Sequence, residues 1–577
     1  MTENPRLDSA PDHPSEAKYR GVILGAALGD ALGWPHENRA RNASGAPRGA
    51  LTFQGWVKRS GGRFQPHEEQ IPPGSYSDDT QLIIAVARSR IQQRHWWDYF
   101  SRVELPLWTL YEKGGGGATI RAAKSWLKGV PPWQASSADT EKYFNAGGNG
   151  AAMRIAPHVL VNARKPFLRV AKDIAADSVI THGHPHGIVG ALSYGYALWF
   201  ALRNFRTLEY GQLIKEVLKN RDAWVQLPNF EDIWPGWQQA AMDHQFGMRW
   251  NAAVNAQIEK LEIALESLEA GALSVEQQTL EAIGCFDKKV LGAGTVAASA
   301  AIYLASRYAA GPMEGVAAAA FCKGADTDTL ASMTGALAGA ISGSDWLGSL
   351  VQEVQDYEFL LDISSMLQNV TPTDGAFTPV EQRYIGQFYR FLDGKGTIDI
   401  PPGLPRRVRA VEMVKSKSDN LRTRSWVLNG RREQTLFIKK LERPRTHDRQ
   451  ITDQNAFRFE DPAQLSRQAE LAGIGLLTGD IDKSTAFYGD LLGLAVVRET
   501  SRLTRLGSHL VLRQSDGNIV AGTGTVIYIQ VPDLRACLSQ FASWNLDTPM
   551  VEHNRNRLFF ICYDPDGRTV EVFERRR

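Results

Sequence analysis

Residues 21–37 read Gly-Val-Ile-Leu-Gly-Ala-Ala-Leu-Gly-Asp-Ala-Leu-Gly-Trp-Pro-His-Glu. The stretch predicts a helix of small residues that ends near Gly33 and Pro35 and leaves Glu37 on the following loop. Small residues such as Gly25, Ala26, Ala27 and Gly29, and later Gly335, Ala338 and Gly339, let helix backbones approach closely. Apolar residues recur at helical spacing over 83–94, 167–178, 252–269, 291–309 and 330–341, and strand signals are weak up to about residue 393. A compact all-helical domain is therefore expected over 18–395.

Two acidic runs interrupt this apolar pattern: Ser77-Asp78-Asp79-Thr80 and Asp326-Thr327-Asp328-Thr329. Each precedes an apolar helix, so each suits an N-cap, where Ser, Thr and Asp accept from free backbone N–H groups. One cap needs one such residue, and each run holds four. Hard divalent cations take oxygen ligands, and a pair of ions about 3.5–4 Å apart needs several carboxylates. If the fold brings Glu37, Asp78, Asp79, Asp326 and Asp328 together, they form a binuclear site suited to hydrolysis of a strongly anionic substrate.

Three further segments are rich in glycine or histidine. Gly114, Gly115, Gly116 and Gly117 expose backbone donors that can wrap a diphosphate or serve as a flexible link. Gly148-Asn149-Gly150-Ala151-Ala152-Met153-Arg154 is either a ligand-facing loop at a helix start or a simple turn. Residues 181–186 carry His182, His184 and His186 without the cysteine or HExxH spacing of a zinc site, which leaves a ligand contact by His182 or plain loop histidines.

At 577 residues, with 43% hydrophobic and 22% charged residues, the chain is long enough for more than one core. A formal charge of +2 gives no overall drive toward nucleic acid or membrane. Cys285, Cys322, Cys537 and Cys562 are too scattered for a disulfide framework, which fits a reducing cytoplasm. The apolar stretches at 188–202 and 290–310 are broken by Gly, Ser, Tyr and Arg and fall short of a membrane span. The opening residues, 1–17, lack an apolar core and read as a flexible tail, not a signal peptide.

Beyond Pro401 the character changes. Residues 401–450 hold 14 Lys and Arg against 5 Asp and Glu, a net of +9, which suggests a basic linker or small accessory segment within 396–469. From 470 to 577 the period shortens to strands at 474–477, 495–498, 509–513, 525–531, 557–563 and 569–573, with helices at 482–492 and 534–544. The order is a β-α-β-β pattern written twice, with Asp564-Pro565-Asp566-Gly567 as the last turn.

Taken in order, Gly-Asp-Ala-Leu-Gly-Trp-Pro-His-Glu, Tyr-Ser-Asp-Asp-Thr, Gly-Asn-Gly-Ala-Ala-Met-Arg, Thr-His and Gly-Ala-Asp-Thr-Asp-Thr resemble the ADP-ribosylglycohydrolase family, which includes the dinitrogenase reductase-activating glycohydrolases. The resemblance covers about 18–390. It implies an all-α fold that holds two Mg²⁺ and removes ADP-ribose from a modified protein, nucleic acid or small molecule. It also implies Ser77, Asp78, Asp79, Asp326, Asp328 and Thr329 as metal ligands, with Ser77 standing where Thr is frequent. Glu37 or Asp78 is then the group that handles the proton. Gly114, Gly115, Gly116, Gly117, Asn149, Gly150, Met153 and His182 contact the ligand, and Phe144 stacks on adenine.

Residues 470–575 resemble the glyoxalase and bleomycin-resistance superfamily, the vicinal oxygen chelate fold. Metal-dependent members carry a His at the start of the first strand, where this chain has Gly473 or its neighbour. Glu571 matches the closing carboxylate, while His509 and His553 read first as strand or surface histidines and second as metal ligands. One carboxylate without His partners makes a poor transition-metal site, so this domain is expected to mediate binding or dimerisation. Two alternatives to a hydrolase remain: a non-catalytic ADP-ribose-binding protein, and a second metal-dependent activity in the C-terminal domain.

Overall fold

The computed structural model describes residues 14–37, 51–60, 67–271, 274–415, 422–430, 432–442, 474–492, 494–500, 503–506, 510–515, 526–531, 534–535, 537–538, 551–553, 557–564 and 569–575. The expectations for most of the 1–17 tail, for 443–473, for Gly473 and His509, for 539–544 and for the turn beyond Asp564 lie outside them. The chain divides into two compact units, Met1–Arg449 and Gln450–Arg577.

The first unit is organised by one helix pair. Helix α1 (Glu16–Gly33) is followed by β1 (Trp56–Ser60), β2 (His67–Ile71) and α2 (Asp78–Gln92), then by α3 (Gly117–Trp126) and α4 (Ser137–Phe144). Long helices α5 (Phe167–Ser178), α6 (Pro185–Arg203), α7 (Phe246–Glu269), α8 (Gly294–Arg307) and α9 (Thr327–Ser342) follow, with shorter helices packed around them. Gly21, Gly25, Gly29 and Gly33 put one face of α1 directly on α9. A Cβ at Gly25 would stand 2.3 Å from the Gly335 carbonyl oxygen, one at Gly29 2.1 Å from that of Ala331, and one at Gly33 2.2 Å from that of Thr327. Contacts run from Gly21 at Gly343 to Gly33 at Thr327, so the helices are antiparallel and the end of α1 meets the start of α9. Side chains on the rest of α1, including Val22, Ile23, Leu24 and Leu28, enter the shared core.

Residues expected as a basic linker or accessory segment contain a three-stranded antiparallel sheet, β3 (Val408–Lys415), β4 (Arg422–Leu428) and β5 (Leu436–Glu442), in the order β3-β4-β5. Trp426, Leu428, Leu436 and Ile438 join the core of the helical unit. Positive charge in this stretch meets acidic groups of the same unit: Arg424 with Asp393 at 2.8 Å, Arg432 with Asp362 at 3.3 Å, and Lys439 with Glu69. Several of the basic residues thus join the sheet to the helical body.

The second unit holds two four-stranded sheets, ordered β6-β9-β8-β7 and β10-β13-β12-β11. Their strands are β6 (Ile474–Thr478), β7 (Val496–Thr500), β8 (Leu503–Leu506), β9 (Leu510–Gln514), β10 (Val526–Gln530), β11 (Glu552–His553), β12 (Arg557–Tyr563) and β13 (Thr569–Arg575). Each half has one strand more than the expected β-α-β-β. The extra strands, β8 and β11, span four and two residues, too short for alternation to stand out. A separate core gathers Tyr488, Leu491, Leu512, Phe560, Val570 and Val572. No helix among the described residues is long and apolar enough to cross a membrane.

Glycine at the α1–α9 contact should be irreplaceable. Gly335→Ala places a methyl 2.0 Å from the Gly25 carbonyl oxygen and should cost about 3 kcal/mol of unfolding free energy. Gly247→Ala in α7, where a Cβ meets nothing within 4 Å, should be neutral or stabilise by up to ~1 kcal/mol. Denaturant unfolding of the two variants checks the contrast.

Candidate active site

The site begins with Asp30, a fully buried carboxylate inside α1. Its Oδ1 accepts the Ser77 backbone N–H at 2.9 Å, and its Oδ2 accepts the Thr80 N–H at 2.9 Å and the Thr80 hydroxyl at 2.6 Å. Asp30 thereby ties the first turn of α2 to α1. That helix starts at Asp78, earlier than its apolar run, because Ser77 is the N-cap and its Oγ accepts the Asp79 N–H at 3.3 Å. Sequence reasoning passed over Asp30 as a site residue. The available signal was a lone carboxylate in an otherwise small and apolar helix.

Packing α1 against the start of α9 brings the remaining acids together. Pro35 opens a short 3₁₀ turn, Trp34–His36, after which the Glu37 N–H donates to the Trp34 carbonyl at 3.2 Å. Oxygens of Glu37, Asp326 and Asp328 lie within 4.8 Å of one another. The Thr329 hydroxyl donates to Asp79 Oδ2 at 3.2 Å, so the α2 and α9 acidic runs are in direct contact. Burial, together with the Asp328 carboxylate and the other acids, holds Asp78, Asp79 and Asp326 well above the usual carboxylate range, and Asp30 is pushed up to about 6. Asp79 Oδ1 is buried without a hydrogen-bond partner. An unpaired buried carboxylate oxygen costs several kcal/mol. An all-oxygen donor set with this deficit of positive charge fits a hard divalent cation.

The glycine loops flank this cluster. Asn149 Nδ2 donates to Asp326 Oδ2 at 2.8 Å, and its backbone N–H donates to the Gly292 carbonyl at 2.9 Å. Met153 reaches the same place, with its Sδ 3.9 Å from the Thr329 hydroxyl. A Cβ on Gly150 would stand 3.0 Å from Thr119 Oγ1 and 3.1 Å from His182 Cε1, and one on Gly148 would stand 3.5 Å from His182 Nε2. His182 is buried, with Nδ1 paired to Thr181 Oγ1 at 2.7 Å. Burial, with Arg154 and Arg121, lowers its pKa to about 3, which keeps the ring neutral. Gly114 adjoins the cluster: a Cβ there would lie 3.1 Å from Asp78 Oδ1 and 3.5 Å from Trp34 Nε1. Gly115 donates its N–H to Glu112 Oε2 at 3.0 Å, Gly116 caps α3, and Gly117 opens that helix beside Arg121.

Phe144 is placed differently from these. It is 1% exposed, stacked on His244 at 4.3 Å and edge-on to Tyr143 at 4.8 Å, with no open face toward the cluster. Beside it, a cavity of about 380 Å³ opens between α3 and α4, lined by Ala118, Arg121, Lys124, Tyr143 and Thr181. In the second unit, Glu571 is buried on β13 opposite Tyr528 and Ile561, and Tyr488 donates to Asp564 at 2.8 Å. Among the described residues, no group of metal-ligating side chains forms there.

Comparison with known proteins follows the two units. A family model described as ADP-ribosylglycohydrolase matches residues 11–376, and one for the glyoxalase/bleomycin resistance protein/dioxygenase superfamily matches 470–572. The chain is 27% identical over 196 residues to the ADP-ribosylarginine hydrolase Tri1 of Serratia proteamaculans, covering 33% of this chain and 48% of that protein. It is 27% identical over 179 residues to the ADP-ribosyl-dinitrogen reductase glycohydrolase of Rhodospirillum rubrum, covering 30% and 54%. To the ADP-ribosylhydrolase ARH3 of Gallus gallus it is 28% identical over 203 residues, covering 33% and 52%. The matches thus span about half the length of these curated relatives.

Cation binding should compete with protons. Asp30, Asp78, Asp79 and Asp326 have raised pKa values in the fold, so their protonated forms stabilise it. For Asp30 that stability is complete below the unfolded carboxylate pKa near 4 and is lost as pH rises through about 6; for Asp78, Asp79 and Asp326 it is lost only well above the usual carboxylate range. In chelator the stability these groups lend should therefore fall as pH rises, and added Mg²⁺, which needs the ionised carboxylates, should raise the melting temperature more at pH 7.5 than at pH 5. An equal rise at both pH values would contradict the assignment.

Proposed function

The chain belongs to the ADP-ribosylglycohydrolase family, and from that premise we propose that it is a Mg²⁺-dependent hydrolase that cleaves the glycosidic bond between ADP-ribose and a modified target. The observation that carries this reading is the convergence of Glu37, Asp326 and Asp328 within 4.8 Å, joined to Asp79 through Thr329. Ser77, Asp78, Asp79, Asp326, Asp328 and Thr329 are the residues that would hold two ions. Bound there, the cations supply Lewis acidity and lower the pKa of water.

The remaining steps belong to the chain's own groups. Glu37 takes a proton from the attacking water as the water oxygen bonds to the anomeric carbon and the bond from that carbon to the target breaks; Glu37 then returns that proton to the leaving atom. Asp78 is the alternative acceptor. Positive charge that develops on the ribose ring faces the acidic cluster, which stabilises an oxocarbenium-like state. Neutral His182 adds no positive charge beside the two ions, and it is placed to hold the ligand beside Gly148 and Gly150 through hydrogen bonding. Backbone donors of Gly114, Gly116 and Gly117 suit the diphosphate, with Arg121 and Lys124 nearby on α3, while the Gly115 N–H is held by Glu112 Oε2. Tyr143 and the 380 Å³ cavity suit the nucleoside end, a better place for adenine than the enclosed ring of Phe144. The names of two relatives, one an ADP-ribosylarginine hydrolase and one acting on dinitrogen reductase, favour a protein as the target.

Glu37→Gln should lower kcat by roughly 10²–10⁴-fold, and Asp326→Asn should abolish both ADP-ribose release and the Mg²⁺-induced rise in melting temperature. Release is measured by chromatography of ADP-ribose from a panel of arginine-, serine- and nucleic-acid-linked substrates, with Mg²⁺ and with chelator. Tight ADP-ribose binding without turnover on any linkage would instead identify a binding protein.

A further inference from the structure

The family match ends at residue 376, yet the β3–β5 sheet beyond it reaches the residues beside the active site along two routes. The first begins at Thr435, just before β5. Its backbone N–H donates to Asp356 Oδ2 at 2.8 Å and its hydroxyl donates to Asp356 Oδ1 at 2.6 Å. Asp356 Oδ2 also accepts the hydroxyl of Tyr76 at 2.7 Å, and Tyr76 immediately precedes the Ser77-Asp78-Asp79 turn. Asp356 itself sits at φ +62°, a left-handed conformation that a non-glycine residue holds only when its surroundings fix it. The neighbouring Gln434 strengthens this route: its Oε1 accepts from Arg88 Nη1 at 2.6 Å on α2, the helix that the acidic turn opens.

The second route runs through Phe437 on β5. Its ring lies 3.5 Å from the ammonium of Lys113, which is buried and directly precedes Gly114. The rings of Phe437 and, at 5.9 Å, Trp34 pack on the Lys113 amine and hold its side chain in place at the base of the glycine loop; burial lowers the Lys113 pKa to about 7, so packing holds it as well as charge. Lys439, two residues along the strand, pairs with Glu69 on β2. The sheet therefore grips the loop that carries Asp78 and Asp79 and the loop that carries Gly114, Gly115, Gly116 and Gly117.

We infer that the β3–β5 sheet is a working part of the active site, in which Thr435 positions the Ser77-Asp78-Asp79 turn through Asp356 and Tyr76, and Phe437 positions the Gly114–Gly117 loop through Lys113. Thr435 and Phe437 are positioning residues: they act through the acidic turn and the glycine loop and touch neither the reacting atoms nor the ions. The kinetic part of the inference rests on the hydrolase reading above, but its structural part does not.

The test uses the full chain with Thr435→Val, Thr435→Ser, Phe437→Leu and, as a control for general loss of sheet stability, Leu428→Ala. Amide hydrogen exchange should speed up about tenfold at 76–80 in Thr435→Val and at 113–118 in Phe437→Leu, with Thr435→Ser near wild type. Thr435→Val should raise the Mg²⁺ concentration needed for the thermal shift, and Phe437→Leu should raise KM while kcat stays within about twofold. Leu428→Ala should lower the melting temperature and leave both local exchange rates unchanged. The inference is overturned if Thr435→Val and Phe437→Leu behave like Leu428→Ala. If the wild-type protein releases no ADP-ribose, the hydrolase reading fails, and the exchange rates at 76–80 and 113–118 still decide the inference.

Discussion

Backbone-to-backbone contact between α1 and α9 is the constraint from which the site follows. Without side chains at Gly25, Gly29, Gly33 and Gly335, the two helices lie closer than any other residue would permit. Because they run antiparallel, the C-terminal end of one meets the N-terminal end of the other. Glu37 follows α1 and Asp326 begins α9, so residues almost three hundred positions apart become neighbours. Asp30, on α1 itself, adds the third member by holding the start of α2. A rigid helical scaffold thus presents short acidic turns from three helix ends at one place.

Gathering so many carboxylates is unfavourable in itself. Burial penalises each charge and buried like charges repel, and the raised pKa values of Asp78, Asp79 and Asp326 express both costs. Stability tolerates the arrangement because the glycine contact, the surrounding apolar core and the Asp30 hydrogen bonds hold it from outside. A divalent cation bound among these carboxylates would remove that penalty, which is the physical ground for the proposed Mg²⁺ site.

Much of this could be read in the chain. The helical unit was legible from its apolar period, and Ser77, Asp78, Asp79, Asp326 and Asp328 were legible because each run exceeds what a helix cap requires. Asp30 was not, since its role depends on a neighbour found only after α1 and α2 pack. The β3–β5 sheet was masked by its composition: Arg424, Arg432 and Lys439 give a linker-like charge pattern, and only the fold shows that Asp393, Asp362 and Glu69 balance them. Strands β8 and β11 were too short to show a period. Phe144 looked like an available aromatic, but burial by His244 and Tyr143 is a tertiary fact.

The central claim is that Glu37, Asp78, Asp79, Asp326 and Asp328 surround a pair of divalent cations. Anomalous diffraction from crystals of the full chain soaked in Mn²⁺ measures this directly. Two peaks about 3.5–4 Å apart, within ligand distance of Asp79 and Asp328, are the expected result. An absence of anomalous density among these carboxylates at saturating Mn²⁺ would contradict it.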